Sequence, residues 1–299
     1  MDCLVTGGAG FIGSHLARRL FTLNPGRVRV LDNFTRAPPW QLHRDRVDAI
    51  RGDIRNLSEL RSAMTGCEVV FHLAARATVM DCERDPGSAF SVNLRGTYEV
   101  LKTAHELGVR RVVVASSREV YGEPSQLPVA ESCPLLPKNA YGASKAAAEM
   151  YCSWFAAAGL EVTALRLSNV FGPGDHDRVI PRFIDSASAG NPLTVYGGEQ
   201  LIDFVWVDRV VDAFVTAGSG PYVRGSVNVA SGVGVTVLEA AKRVLASCGS
   251  DSRVNVLSRR EAEVCRFVAD VRRATLELGL ECPDDPLAEL AQLVSKRAA

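Results

Sequence analysis

The chain reads as an α/β protein, a doubly wound parallel sheet followed by a smaller C-terminal lobe, and three observations predict it. Buried β-branched runs alternate with helix-period segments up to about residue 168. Gly7, Gly10 and Gly13 come directly after the first apolar run. Beyond residue 170 the alternation breaks down and Gly and Pro become dense, from Gly172, Pro173 and Gly174 to Pro181, Gly190, Pro192, Gly197 and Gly198.

The elements follow in order. Residues 2–6 form a short strand, and Phe11, Ile12, His15, Leu16 and Leu20 then recur at helical spacing. Strands are predicted at 28–31, ending at Asp32, at 47–50, and at 68–73, where Val69, Val70, Phe71 and Leu73 make a buried run. A long helix over 90–107 is stopped by Gly108, a strand follows at 112–115, and a helix over 140–158 is closed by Gly159. A sixth strand covers 160–167. Short strands near 203–207 and 226–229 are expected to return to the sheet, with helices over 236–248 and 286–296 completing the smaller lobe. The expected division is 1–168 for the sheet domain, with strands returning near 203–230, and 169–299 mainly for a substrate-binding lobe, the two interleaved.

Composition narrows the function. The chain has 299 residues, 47% of them apolar, enough for a sizeable core. Its 34 Lys and Arg balance 34 Asp and Glu, which argues against nucleic acid and against an anionic membrane surface as partners. No run approaches the roughly 18 unbroken apolar residues of a spanning helix, and residues 1–6 carry no basic, apolar leader. The eight cysteines are scattered with no CxxC pair. The histidines stand apart from one another, so no metal site is expected. A reduced, cytoplasmic protein is the expectation.

Thr6-Gly7-Gly8-Ala9-Gly10-Phe11-Ile12-Gly13 lies between a strand and a helix. The first glycine permits a tight turn, the second close approach of a pyrophosphate, and the third packing of helix on sheet. The helix N-terminus then offers unpaired N–H groups to phosphate oxygens. Asp32 comes 19 residues after Gly13 at a strand end, where a carboxylate accepts hydrogen bonds from a ribose diol and repels a 2′-phosphate. This is a Rossmann-like pattern that favours NAD, with nearby Arg36 keeping NADP as the alternative. Asp53 ends the third strand on the same side, either beside an adenine or as a helix cap.

Tyr141 and Lys145 are four residues apart on one predicted helix, so phenol and ammonium share a face. A neighbouring ammonium and a cationic nicotinamide both lower a phenol's pKa, which makes Tyr141 a candidate base for a hydroxyl proton. Ser117, at the carboxyl end of the fifth strand, is placed to bond a reacting oxygen.

TGGAGFIG, Asp32-Asn33, HLAA at 72–75, SSREVYG and YGASK together resemble the extended short-chain dehydrogenase/reductase superfamily. Within it, they are similar to the NAD-dependent nucleotide-sugar epimerase/dehydratase family. Blocks at 93–97, 169–174, 179–183 and 193–197 extend the likeness over most of the chain. The resemblance implies a tightly held NAD⁺, reduced and reoxidised in each turnover of a UDP- or dTDP-linked sugar. It implies Tyr141 as base, Lys145 on the nicotinamide ribose and Ser117 on the C4 hydroxyl. Gly7, Gly10, Phe11, Ile12, Gly13, Asp32, Asn33, Asp53, Ile54, Leu73, Ala74, Ala75 and Asn93 fall on cofactor positions. Arg118, Asn169, Arg182, Thr194 and Arg266 fall on substrate positions. The family's habit of dimerising implies a homodimer through a four-helix bundle formed by the helices at 90–107 and 140–158.

A 4-keto sugar can be reduced from its other face, dehydrated, or, with a carboxylate at C6, decarboxylated. The family's 4,6-dehydratases usually carry Asp–Glu where this chain has Arg118-Glu119, and an arginine cannot act as the acid. Glu119 nevertheless stands where a C5 base would, and is counted among the catalytic candidates. The reading is therefore a 4-epimerase, with dehydration or UDP-glucuronate-type decarboxylation through Glu119 as the alternative. A non-catalytic dinucleotide-binding module is the alternative of another class. Ile202 stands where the family usually has an arginine against the diphosphate, leaving Arg266, Arg178 or Arg209 to replace it. Cys82 stands where a substrate-contacting serine is usual, and reads as a small buried hydrophobe.

Overall fold

The computed structural model describes residues 1–23, 26–36 and 48–298. β1 (Cys3–Thr6) feeds α1 (Phe11–Leu23), followed by β2 (Val28–Asp32), β3 (Asp48–Arg51), α2 (Leu57–Met64) and β4 (Val69–His72). Val47, expected to open the third strand, lies outside the described residues. α3 (Val79–Arg84) leads to α4 (Pro86–Ala89), which runs through a π-helical turn at Phe90–Arg95 into α5 (Gly96–Glu106). The expected helix over 90–107 thus starts earlier, where Asp85 caps it by accepting from the Ser88 N–H and Pro86 occupies the first turn. β5 (Arg111–Ser117), one 3-10 turn at Arg118–Tyr121, α6 (Ala140–Ala157) and β6 (Glu161–Leu167) complete the first part of the chain.

The smaller lobe contains β7 (Asn169–Phe171), α7 (Val179–Ser188), β8 (Leu193–Tyr196), β9 (Leu201–Trp206) and α8 (Val207–Ser219). β10 (Gly225–Val229), β11 (Gly234–Thr236), α9 (Val237–Cys248), β12 (Val254–Leu257), α10 (Arg272–Leu278) and α11 (Leu290–Ala298) follow.

Seven strands make one sheet in the order β10-β6-β5-β4-β1-β2-β3, every neighbouring pair parallel. Side chains alternate between its faces, as the strand period requires. In β4, Val69 and Phe71 enter the core beneath α1 and α8, whereas Val70 enters the one beneath α2, α5 and α6. Chain order reverses between β1 and β4, and ligands of such sheets bind beyond the strand ends at that switch point.

One expected strand goes elsewhere. The 226–229 segment returns as β10 on the edge of β6, but the 203–207 segment is β9, the middle strand of a separate sheet β11-β9-β7. β10 already occupies the outer edge of β6, so β9 pairs with β7 and β11 instead. The buried Asp203 carboxylate fixes it there, accepting the N–H groups of Ser231 (2.8 Å), Gly232 (3.0 Å) and Ala269 (3.1 Å) and the Ser231 hydroxyl (2.6 Å). β8 and β12 form a two-stranded parallel sheet. The C-terminal helix starts at Leu290 rather than 286, because 286–289 form a turn.

Candidate active site

The glycine turn fits a dinucleotide phosphate. Gly7 has φ +70°, and a Cβ on it would lie 2.6 Å from the Ala74 nitrogen. A Cβ on Gly13 would lie 2.2 Å from the Gly7 carbonyl oxygen. Gly10 differs: its Cβ would meet only that same oxygen, at 3.3 Å, so the space beside it is open. Two glycines are thus required by close packing and the third by room above the turn, the pattern a pyrophosphate needs. Phe11 and Ile12 open α1 behind it. Leu73, Ala74 and Ala75 follow β4 on the other side, Leu73 donating to the Thr6 carbonyl (3.0 Å).

Asp32 is oriented by the turn itself, accepting from the Ala9 N–H (3.0 Å) and the Phe34 N–H (2.8 Å). Arg36 bonds instead to the Thr78 hydroxyl (3.2 Å) and Asp177 (3.4 Å), while Arg51, beside Asp32 across the β2–β3 pair, bonds the Asn33 carbonyl (3.5 Å) and lies over the Phe34 ring. Asp53 is gripped by Arg55 through Nε (2.8 Å) and Nη2 (2.7 Å), which holds its carboxyl down at about 2, and Asn33 adds a weaker bond (3.4 Å). It does not cap α2, whose cap is Asn56. Ile54 is buried under α5, against Gly96.

Beneath the turn lies a buried polar chain. The His72 ring is bonded by Thr6 Oγ1 at Nδ1 (2.7 Å) and by Thr97 Oγ1 at Nε2 (2.9 Å). Thr97 spends its own proton on the Asn93 carbonyl (2.5 Å), so Nε2 carries the hydrogen and Nδ1 accepts from Thr6. Burial pushes His72 down to about 3, keeping it neutral. Asn93 accepts from the Arg76 N–H (2.7 Å) and donates to the Arg76 carbonyl and the Ser144 hydroxyl (both 3.0 Å). Ser144 donates to the Tyr141 carbonyl (2.7 Å). Both amide hydrogens of Asn93 are therefore spent in tying the 73–76 segment to α6.

Asn139 starts α6, its Oδ1 accepting from the Gly142 N–H (2.8 Å). Tyr141 and Lys145 follow one turn apart, as the sequence predicts. The Lys145 ammonium lies 6.0 Å from the Tyr141 ring centre and donates to the Ala115 carbonyl at 2.9 Å. Burial pushes Lys145 down to about 8. It pushes the half-buried Tyr141 up to about 12. A hydrogen bond with Ser117 and the charge of Arg178 oppose that rise, and Glu119 adds to it. Among the protein's own groups burial sets the direction, with the Lys145 ammonium turned to the Ala115 carbonyl.

Ser117 ends β5, accepting from the Glu119 N–H (3.2 Å). Both Glu119 oxygens are engaged, Oε1 by Arg118 Nη2 (2.9 Å) and Oε2 by Asn139 Nδ2 (2.7 Å). Arg118 also donates from Nε to Asn169 (2.6 Å) and lies over the Phe267 ring, and among the described residues its buried Nη1 has no partner. Ser117, Arg118, Glu119, Tyr141, Lys145 and Asn169 therefore converge. Arg182, Thr194 and Arg266 stand exposed on the smaller lobe, and among the described residues none of their side chains bonds to that group. Ile202 points into the core, and two of the cations that could replace the absent arginine are already paired, Arg209 with Glu289 and Arg178 with Asp175 (both 3.1 Å). Arg178, stacked over Phe11, is the cation whose charge reaches Tyr141. Cys82 is buried, its thiol pushed up by desolvation, as a small core residue should be. Among the described residues no cluster of metal-ligating side chains occurs.

Sequence reasoning missed Asn139 and the buried Glu149, which pairs with Arg166 (2.7 Å) and accepts from Ser116 and Ser226. Glu149 continues the Tyr141–Lys145 spacing by another four residues, a signal that was present. Asn139 carried a weaker one, an Asn just before a helix.

The profile of the NAD dependent epimerase/dehydratase family matches residues 3–230. A UDP-glucose 4-epimerase of Mycolicibacterium smegmatis is 34% identical over 303 residues, covering 97% of this chain and 96% of that one. The solved UDP-glucose 4-epimerase of Thermotoga maritima, with UDP-glucose, superposes with TM-score 0.95 at 30% identity, covering 100% and 99% of the two chains. A dTDP-glucose 4,6-dehydratase of Streptomyces venezuelae with NAD bound gives TM-score 0.92 at 31% identity, covering 99% and 96%. With a profile match over most of its length and relatives that share its whole fold, this chain belongs to the NAD-dependent epimerase/dehydratase family and is an NAD-dependent enzyme.

Proposed function

We propose that the chain is a nucleotide-sugar 4-epimerase acting on a UDP- or dTDP-linked sugar through a transient 4-keto intermediate. One observation carries the choice among the family's reactions: both oxygens of Glu119 are held, by Arg118 and Asn139, in a buried ion pair. Dehydration needs a carboxylate free to take the C5 proton and an acid beside it. Here the neighbour is an arginine, and breaking a buried pair costs about 3–5 kcal/mol.

In this reading Gly7, Gly10, Phe11, Ile12 and Gly13 hold the NAD pyrophosphate, Asp32 and Asn33 the adenosine ribose, and Asp53, Ile54 and Leu73–Ala75 flank the rest. NAD supplies the two-electron acceptor and donor. Ser117 and Tyr141 share the C4 oxygen, and Tyr141 takes and returns its proton. A positive charge arriving within about 4 Å of the phenol is worth about 4 kcal/mol at an effective dielectric of 20, which lowers its pKa by about 3. The phenol, high in the protein alone, thus becomes a usable base once a cationic ring and the sugar are both in place. Lys145 fixes the nicotinamide ribose, and the unpartnered Arg118 Nη1 is left to meet a sugar oxygen. Asn169, Arg182, Thr194 and Arg266 contribute from the smaller lobe.

Phe90, Met150, Tyr151 and Trp154 are exposed apolar residues on the long helices. They support a homodimer built on α5 and α6, since such patches on a helix pair are what an interface covers.

The test is incubation with NAD and, separately, UDP-glucose, UDP-glucuronate, dTDP-glucose and a GDP-hexose, followed by NMR. A product of unchanged mass with inverted C4 is expected; loss of water or CO₂ overturns the reading.

A further inference from the structure

Glu119 is a carboxylate whose charge reaches Tyr141, and it is held more firmly than a surface acid. Its backbone N–H is bonded to Ser117 (3.2 Å), and its carbonyl lies where a Cβ on Gly142 would be, at 2.3 Å. α6 therefore rests directly on the 3-10 turn, with Tyr141 next to the point of contact. Arg118 takes one carboxylate oxygen at 2.9 Å, and its guanidinium is anchored in turn by Asn169. Asn139 takes the other at 2.7 Å with the same amide nitrogen that bonds the Ala262 carbonyl, while its Oδ1 caps α6. Arg118, Glu119 and Asn139 are each more than nine-tenths buried.

A 4-keto sugar is acidic at the carbons flanking its carbonyl. A free carboxylate at this place would remove one of those protons. The C–H bond would break, its electron pair forming the C=C bond of an enolate while the carbonyl π pair moves to oxygen, and the proton would pass to Glu119. Return of a proton reverses each movement, and no oxidant or reductant is consumed.

We infer that Arg118 and Asn139 are specificity-determining positioning residues that, by occupying both oxygens of Glu119, keep it from deprotonating the carbons beside the C4 carbonyl. The inference rests on the 4-keto reading above. The clamp confines proton traffic to the hydroxyl handled by Tyr141 and closes the route from epimerisation to elimination.

The experiment is turnover of the epimerised nucleotide sugar by the NAD-loaded protein in D₂O, followed by NMR and mass spectrometry. Wild type should interconvert the C4 epimers with no carbon-bound deuterium. Arg118→Met and Asn139→Ser, the latter keeping a helix-capping oxygen, should each incorporate deuterium at C3 or C5 at least tenfold faster per turnover. Adding Glu119→Gln to either variant should abolish the incorporation, and Arg118→Lys should restore silence. If Arg118→Met does not fold, Asn139→Ser carries the comparison. Deuterium on carbon with wild type, or epimerisation by the released variants with no gain in exchange, overturns the clamp alone. Absence of any inverted C4 signal with wild type overturns the parent reading, and the clamp with it.

Discussion

Replacing Lys145 by methionine should remove activity and make the nucleotide-free protein more stable. The ammonium is buried, and burial moves it from 10.5 down to about 8. A fall of that size is a penalty of about 3 kcal/mol on the charged form. Methionine loses the bond to the Ala115 carbonyl, worth about 1 kcal/mol, and fills a similar volume. The net gain is about 2 kcal/mol at neutral pH, or roughly 3–6 °C in the unfolding midpoint. The sign follows from proton counts. The native pKa lies below the unfolded one, so between about pH 8 and 10.5 the unfolded chain binds more protons. Wild-type stability therefore rises across that range, the deficit being complete below pH 8 and gone above 10.5. Calorimetry of both proteins, stripped of nucleotide, from pH 7 to 10.5 is the assay. A variant no more stable than wild type at pH 7, or an advantage that stays constant up to pH 10.5, refutes the reasoning.

Tyr141→Phe should lower turnover by about 10²–10⁴-fold while NAD affinity, read by fluorescence titration, changes little. Gly13→Ala should weaken NAD binding at least tenfold, because its Cβ would sit 2.2 Å from the Gly7 carbonyl and force the phosphate turn open. Trp154→Glu should convert the proposed dimer to a monomer in light scattering, with the far-ultraviolet circular dichroism unchanged.

The central sheet was legible because its strands are continuous buried runs and its helices carry clear stop signals, Gly108 and Gly159 among them. The smaller lobe was less so. α7 went unnoticed because Pro181 reads as a breaker, yet it sits in the first turn, where its missing N–H has no intrahelical partner to lose. α8 begins with no intervening loop after β9, so the apolar period of Val207, Val210, Val211 and Phe214 merged with the strand before it. β9 was placed in the wrong sheet because pairing depends on which edges are already taken, information that no local pattern carries. At the site, Ser117, Tyr141 and Lys145 were legible from type and spacing. The engagement of Glu119 was not, since Asn139 lies 20 residues away and meets it only through the fold.

Asp203 has a mechanical consequence. Its backbone carbonyl receives the Ser168 hydroxyl at 2.5 Å, while its carboxylate gathers the chain leaving β10 and the segment at Ala269. One residue thus stitches the exits of two central-sheet strands to the lobe beyond them, its main chain holding one and its carboxylate the other, at a place with no access for water. Opening that seam would strand a charge among undonated hydrogens, so the lobe is denied a swing as a whole about this point. The spacing between the central sheet and β9 is thereby set by one buried residue, on the side where the sheet's strands end.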